Sequence, residues 1–311
     1  MSRIRRVAVL LHERQRDALD WPYRIWAMAR TWEQRGIHVE PAWGIDRPIH
    51  ADLLIPHIDL SYIPDDYWQF IQQFPGPAVN RGVRDIRKRV FSTLTVKRDD
   101  GYDGPVIVKT DCNSGGRPER KILGEGAPRS LRERIGARLA RWPSVERRNL
   151  ASARTLRQYH IFDRASEVPP NVFENPALIV ERFVPELENG RYALRLYTFF
   201  GDRDQVRIFW SPEPFVKTRR AQMGHPLPIP EEVREWRRRL GLDYGKLDYV
   251  IHEGRAHLLD VNTAVGMRGE INVWRIGVAA PMAEGIAYFE RDGAGISCRD
   301  TLEDHGQAVD S

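Results

Sequence analysis

The chain has 311 residues, is 41% apolar and carries nine Trp, ten Tyr and eleven Phe, so it holds enough apolar side chains for more than one packed core. No run of about 18 apolar residues is present, which excludes a membrane-spanning helix, and the composition excludes a disordered chain. The net charge of +5 suits anionic ligands such as nucleotides but falls short of the signature of a nucleic-acid binder, and two cysteines, Cys112 and Cys298, are too few for a disulfide framework or a cysteine metal cluster.

The basic start MSRIRRVAVLLHER has an apolar run of only Val7 to Leu11. It is read as a first strand and not as a secretory leader, so the protein is expected in the cytoplasm. A helix over 22–35 follows, with Ile25, Ala29 and Trp32 at helical spacing and Gly36 at its end. IHVEPAWG and ADLLIPHIDL read as strands, DDYWQFIQQF as an amphipathic helix and PAVN as a short fourth strand. This alternation predicts a small parallel α/β unit over 1–84. Ligands gather at the carboxyl ends of such strands, which makes His12 and the pair His57 and Asp59 candidate substrate contacts.

A helix containing DIRKRVF (85–91) leads to the strand VIVK and the loop DCNSGG, and with strands YHIF (159–162) and ALIVE (177–181) it forms a second unit over 85–184. Between them, residues 129–157 hold nine arginines and two acids. Such a run is a solvated helix face or a surface for a phosphate-bearing or acidic substrate. The third unit, 185–290, has strands YALRLYTFF (192–200) and VRIFW (206–210), a helix over 230–240, the paired stretch LDYVIHEGRAHLLDVN and a helix near 276–290. Residues 291–311 read as a loose polar tail.

The paired stretch carries the chemistry. Residues two apart share a strand face and lie about 6.7 Å apart, so Asp260 and Asn262 point the same way. A three-residue turn, Glu253-Gly254-Arg255, would pair His252 with Ala256 and set Asp248 directly opposite Asp260. A two- or four-residue turn would set Asp248 opposite Leu259 and send the carboxylates to opposite faces. Two facing carboxylates repel unless a cation or proton sits between them, and with the Asn262 amide they make a hard-oxygen set suited to Mg²⁺. Lys109 ends its apolar strand just before Gly115 and Gly116, where backbone amides can approach phosphate oxygens. Cys112 lies in the same loop without a histidine near it in sequence, which argues against a nucleophilic role.

From about residue 80 to 270 the chain resembles the ATP-grasp superfamily: AVN followed by DIRK, VIVK with its glycine loop, LIVERFV, the strand carrying Arg195, and LLDVN. The resemblance implies an α/β chain of α+β subdomains, an ATP-grasp fold preceded by a parallel α/β domain. It implies ATP phosphate contacts at Lys88 and Lys109. For the nucleoside it implies Glu181 at the adenine amine, the backbone near Phe183 and Val184 at the ring edge, and Glu188, or in its place Glu186, at the ribose. Arg195 would lie near the phosphates and the reacting acyl group, with Asp248, Asp260 and Asn262 as Mg²⁺ ligands. The sequence departs from the pattern at TAVG after LLDVN, where many members have a proline before the glycine (Gly266), and in its long, Arg-rich span from Gly116 to Ile179.

The implied activity is an ATP-dependent carboxylate-amine ligase using small-molecule or peptide substrates, free of membrane and nucleic acid and possible as a homodimer. A kinase acting on a hydroxyl acceptor, and a nucleotide- or RNA-binding protein without turnover that uses residues 129–157, are the alternatives.

Overall fold

The computed structural model describes residues 4–15, 18–19, 21–124, 150–267 and 269–291. Most of the Arg-rich run and the whole of the expected tail lie outside them, apart from Arg291, Arg154, Arg157 and their neighbours from residue 150 onward.

Three sheets organise these residues. The first is parallel, in the order β2 (His38–Trp43), β1 (Arg6–Leu11), β3 (Leu53–Pro56). Strands β1 and β3 are buried on both faces, which is why they read as unbroken apolar runs. One face is covered by α1 (Arg24–Gln34) and the other by α2 (Asp65–Gln73), whose Tyr67 and Ile71 pack on Leu10 and Leu54. The expected fourth strand, PAVN, is reduced to a single parallel bridge between Leu54 and Ala78.

The second sheet is antiparallel, in the order β5 (His160–Phe162), β4 (Val106–Thr110), β6 (Leu178–Arg182). Val106, Val108, Leu178 and Val180 enter its core, so strand alternation turns Ile107, Lys109, Ile179 and Glu181 to the other face. The helix expected over DIRKRVF is only α3 (Lys88–Phe91), because Asp85 is taken up by Arg87 before a helical turn can form. A short α4 (Arg117–Ile122) follows the glycine loop, and α5 (Pro170–Phe173) precedes β6.

The third sheet runs β10 (Gln222–Leu227), β9 (Arg203–Ser211), β8 (Arg191–Phe200), β11 (Tyr244–His252), β12 (Arg255–Asn262), with β7 (Glu186–Glu188) also on β8. Tyr197, Leu247, Tyr249 and Val261 pack beneath α6 (Glu231–Arg239). That leaves the opposite face, with Leu196, Asp248 and Asp260 side by side, turned toward the second sheet. Helix α7 (Val273–Ala283), expected with the third unit, shares its core with the first: Trp32 Nε1 donates to Ala283 O at 2.8 Å. A last turn, α8 (Tyr288–Arg291), ends the described chain, and no described helix is long and apolar enough to cross a membrane.

Candidate active site

The hairpin of β11 and β12 reaches the expected arrangement by a different route. Its turn has two residues, not three: His252 pairs with Arg255, and Glu253 and Gly254 both take positive φ (50° and 76°), the backbone of the tight primed turn that matches strand twist. Counted from that turn alone, Asp248 would face Leu259. A β-bulge between Asp248 and Tyr249 corrects the count: Tyr249 pairs with Leu258, Leu259 is left over, and Asp248 pairs with Asp260. Lys246 then pairs with Asn262.

Each carboxylate is met by an ammonium. Lys246 Nζ lies 2.9 Å from Asp248 Oδ2, and Lys88 Nζ lies 3.0 Å from Asp260 Oδ1. Burial pushes the Asp248 carboxyl above its usual range and the facing Asp260 adds to this, while Lys246 pulls it part of the way back. Burial works against the Lys88 charge, yet Asp260 outweighs it and the ammonium is held more firmly than in water. Asp248 Oδ1 is buried and has no hydrogen-bond partner among the described residues, an oxygen free to meet a cation. Among the described residues no third His, Cys, Asp or Glu joins the pair. The oxygens therefore fit Mg²⁺ completed by Asn262, water and phosphate, not a metal caged by protein alone.

Lys88 opens α3, which Asp111 docks to the end of β4 by accepting from Arg89 N at 2.9 Å. From there its Nζ also reaches Asn113 Oδ1 at 3.1 Å. Asn113 Nδ2 in turn donates to Val261 O at 2.6 Å and ties the glycine loop to β12. Ser114, Gly115 and Gly116 all take left-handed backbone (φ 52°, 72° and 68°). A side chain at Gly115 would also meet Leu156 O at 2.2 Å, so only glycine fits there.

Across from the hairpin, Lys109 Nζ is 2.7 Å from Glu181 Oε2. The Glu181 carboxylate is fully buried, and among the described residues the Lys109 ammonium is its ion-pair partner. A cavity of about 290 Å³ separates the two sheets. It is lined by Lys88, Lys109, Gly115, Phe183, Val184, Glu186, Asp248 and Asp260, among others, at the lower end of the range for ligand sites.

Several expected positions fall elsewhere. Arg195 pairs with Tyr249, so it stands on the sheet face away from Asp248. There it makes a two-pronged ion pair with Glu186 at 2.7 to 3.1 Å. The reason is parity: Leu196, not Arg195, shares the face of Asp248, and Arg207 on β9 pairs with Leu196 and occupies that face. Lys246, two residues before Asp248, was legible by the same alternation. Glu188 is exposed, bonded to Trp210 and outside the cavity, whereas Glu186 lines it. Gly116 and Asn262 do not line the main cavity; Asn262 borders a small neighbouring one with Asn113, Asp59 and Glu119. His12 stacks on Tyr67 at 4.8 Å, and His57 is enclosed by the rings of Tyr23 and Tyr244, so neither histidine faces the main cavity.

Burial, with Glu119 and Asp111 nearby, pushes the Cys112 thiol up to about 12. Peptide mapping after iodoacetamide treatment at pH 8 is expected to find Cys112 unmodified in the folded protein and fully alkylated in urea. Rapid alkylation of the folded protein would show that the thiolate is available after all.

No protein-family model and no curated protein matches the sequence. The fold does find counterparts among solved structures. A RimK domain ATP-grasp protein from Sphaerobacter thermophilus is 13% identical, with a TM-score of 0.50 over 92% of this chain and 100% of its own. D-cycloserine synthetase DcsG is 13% identical, with a TM-score of 0.46 over 90% and 98% of the two chains. D-alanine–D-alanine ligase from Bacillus anthracis, solved with ATP, is 11% identical, with a TM-score of 0.44 over 93% and 99%. The chain has the ATP-grasp fold.

Proposed function

We propose that the protein is an ATP-dependent ligase that activates a carboxylate as an acyl phosphate and passes the acyl group to an amine, releasing ADP and phosphate. The observation that carries this reading is the meeting of Lys88 and Lys109 with the Asp248 and Asp260 pair around one cavity. Phosphoryl transfer needs positioning and charge neutralisation more than a protein nucleophile, and this cavity offers both. The upward shift of the Cys112 thiol agrees with it.

In this reading Lys88 and Lys109 hold the ATP phosphates and the backbone of Gly115 and Gly116 lies along them. Glu181 accepts from the adenine amine, which would give its buried carboxylate a donor beside Lys109. The segment Phe183 and Val184 borders the ring. Glu186, with Glu188 at the edge, stands toward the ribose. Mg²⁺, held by Asp248, Asp260 and Asn262, would supply the positive charge that a polyphosphate requires. Lys246, on the same face, is the cation best placed to steady the reacting acyl group in place of Arg195.

The test is a screen of carboxylates and amines with purified protein, ATP and Mg²⁺. ADP and inorganic phosphate should appear together, in equal amounts, only when an acid and an amine are both present. ADP with a phosphorylated hydroxyl product and no free phosphate would replace the ligase with a kinase, and no acceptor-dependent turnover across the screen would count against any enzyme of this kind.

A further inference from the structure

Arg24 is the first residue of α1, and its guanidinium is anomalous. Its Nε and Nη1 are buried, and among the described residues neither finds a hydrogen-bond partner and no carboxylate forms an ion pair with the side chain. The groups close enough to act on its charge are Tyr244, which favours it, and Arg207 and Arg275, which oppose it. Burying an unpaired charge costs several kcal/mol, roughly, and a protein that needed Arg24 only for packing would do better with a neutral side chain.

The fold places this cation beside the proposed reacting centre. Arg24 N donates to Val265 O at 2.7 Å, Tyr23 bridges Gly266, and Met267 N donates to Pro22 O at 2.6 Å. The start of α1 is thereby laid along the loop that leaves β12 just after Asn262. Tyr244 stands two residues before Lys246 on β11, on the face of Asp248, and Asn80 Nδ2 fixes its backbone by donating to Tyr244 O at 2.7 Å. Its hydroxyl is buried, facing the backbone of Val265. Arg207 lies in the transverse row Arg207, Leu196, Asp248, Asp260. Arg24 acts on the charge of Lys246, whose Nζ touches Asp248. His57 beneath this group is held neutral, titrating only at about 3, and adds no charge of its own.

We propose that Arg24 binds a substrate carboxylate that the reaction does not consume, with Arg207 and Arg275 at its border. The substrate class is thus an acid bearing a second carboxylate, or an amine that also carries one. This inference rests on the ligase reading for its substrate, and on Arg24 for its site.

The experiment measures Tm of the full chain with Mg·AMPPNP bound, so that the nucleotide site is filled, while succinate is added at constant ionic strength. Wild type should rise in Tm with succinate, Arg24→Met should show no rise, and Arg24→Lys, which keeps charge without the planar fork, should recover part of it. Arg24→Met alone should melt no lower than wild type, since it removes an uncompensated charge. An equal succinate response in wild type and Arg24→Met, no response in either, or a variant that melts markedly lower would overturn the proposal. A parallel arm uses inorganic phosphate; an Arg24-dependent response to phosphate and none to succinate would overturn the carboxylate assignment. Failure of Mg·AMPPNP to stabilise the wild type would overturn the nucleotide reading instead, while the succinate response without nucleotide would still decide Arg24.

Discussion

Asp260→Asn is expected to cut ATP turnover by at least about 100-fold, the equivalent of ~3 kcal/mol of transition-state stabilisation, because it removes one of two carboxylates available to the metal. Its effect on stability has two opposed parts. The substitution relieves repulsion between Asp248 and Asp260, which face each other across the ladder. It also takes from Lys88 its one ion-pair partner among the described residues; the Lys88 side chain is 1% exposed and that of Asp260 25% exposed. The second effect is the larger, since the almost fully buried ammonium is left with only neutral oxygens beside it, whereas Asp248 keeps Lys246 as its partner with or without Asp260. A modest fall in Tm should accompany the loss of turnover. Normal turnover with Mg²⁺ would remove Asp260 from the metal site.

Lys109→Met should lower both ATP affinity and Tm. Its removal takes the ion-pair partner from the fully buried Glu181 carboxylate, leaving only the more distant Lys88, which costs about 3 kcal/mol. Stability and binding are separated by the double variant Lys109→Met with Glu181→Gln. It should recover much of the lost Tm, because no orphan charge remains, yet bind ATP as weakly as the single variant or more so. Calorimetric titration with ATP decides the matter: restored affinity in the double variant would mean that Lys109 serves only to neutralise Glu181.

The parts of the fold readable in advance are those where burial dictates pattern. Strands β1, β3 and β4 are apolar throughout because both faces are covered, and the helices over residues 24–34, 65–73 and 231–239 declare themselves by spacing and by their ends. Strands β7 and β10 escaped notice because they are short, polar and at the edge of the sheet. The facing of Asp248 and Asp260 was legible as a chemical demand, but not its mechanism. Glu253-Gly254 is as good a turn as Glu253-Gly254-Arg255 by composition, and nothing in Leu259 marks it as the bulged residue. Arg195 shows the limit of strand position alone. Register decides which face a basic residue takes, and parity across β8, β9 and β11 sets Arg207 and Lys246, not Arg195, on the face of Asp248. Arg24 carried no signal in the sequence, since what sets it apart is a buried guanidinium without a partner among the described residues.

On the proposed function, Asp248 and Asp260 hold a divalent ion together with the phosphates of ATP in the cavity between the second and third sheets. Electron paramagnetic resonance of Mn²⁺, titrated into the protein with and without AMPPNP, reads this directly. Tight Mn²⁺ binding should appear only with the nucleotide present, because two carboxylates and an amide leave positions that phosphate must fill, and it should be lost in Asp248→Asn. Mn²⁺ binding that is indifferent to the nucleotide, or that survives the loss of Asp248 unchanged, would contradict the account.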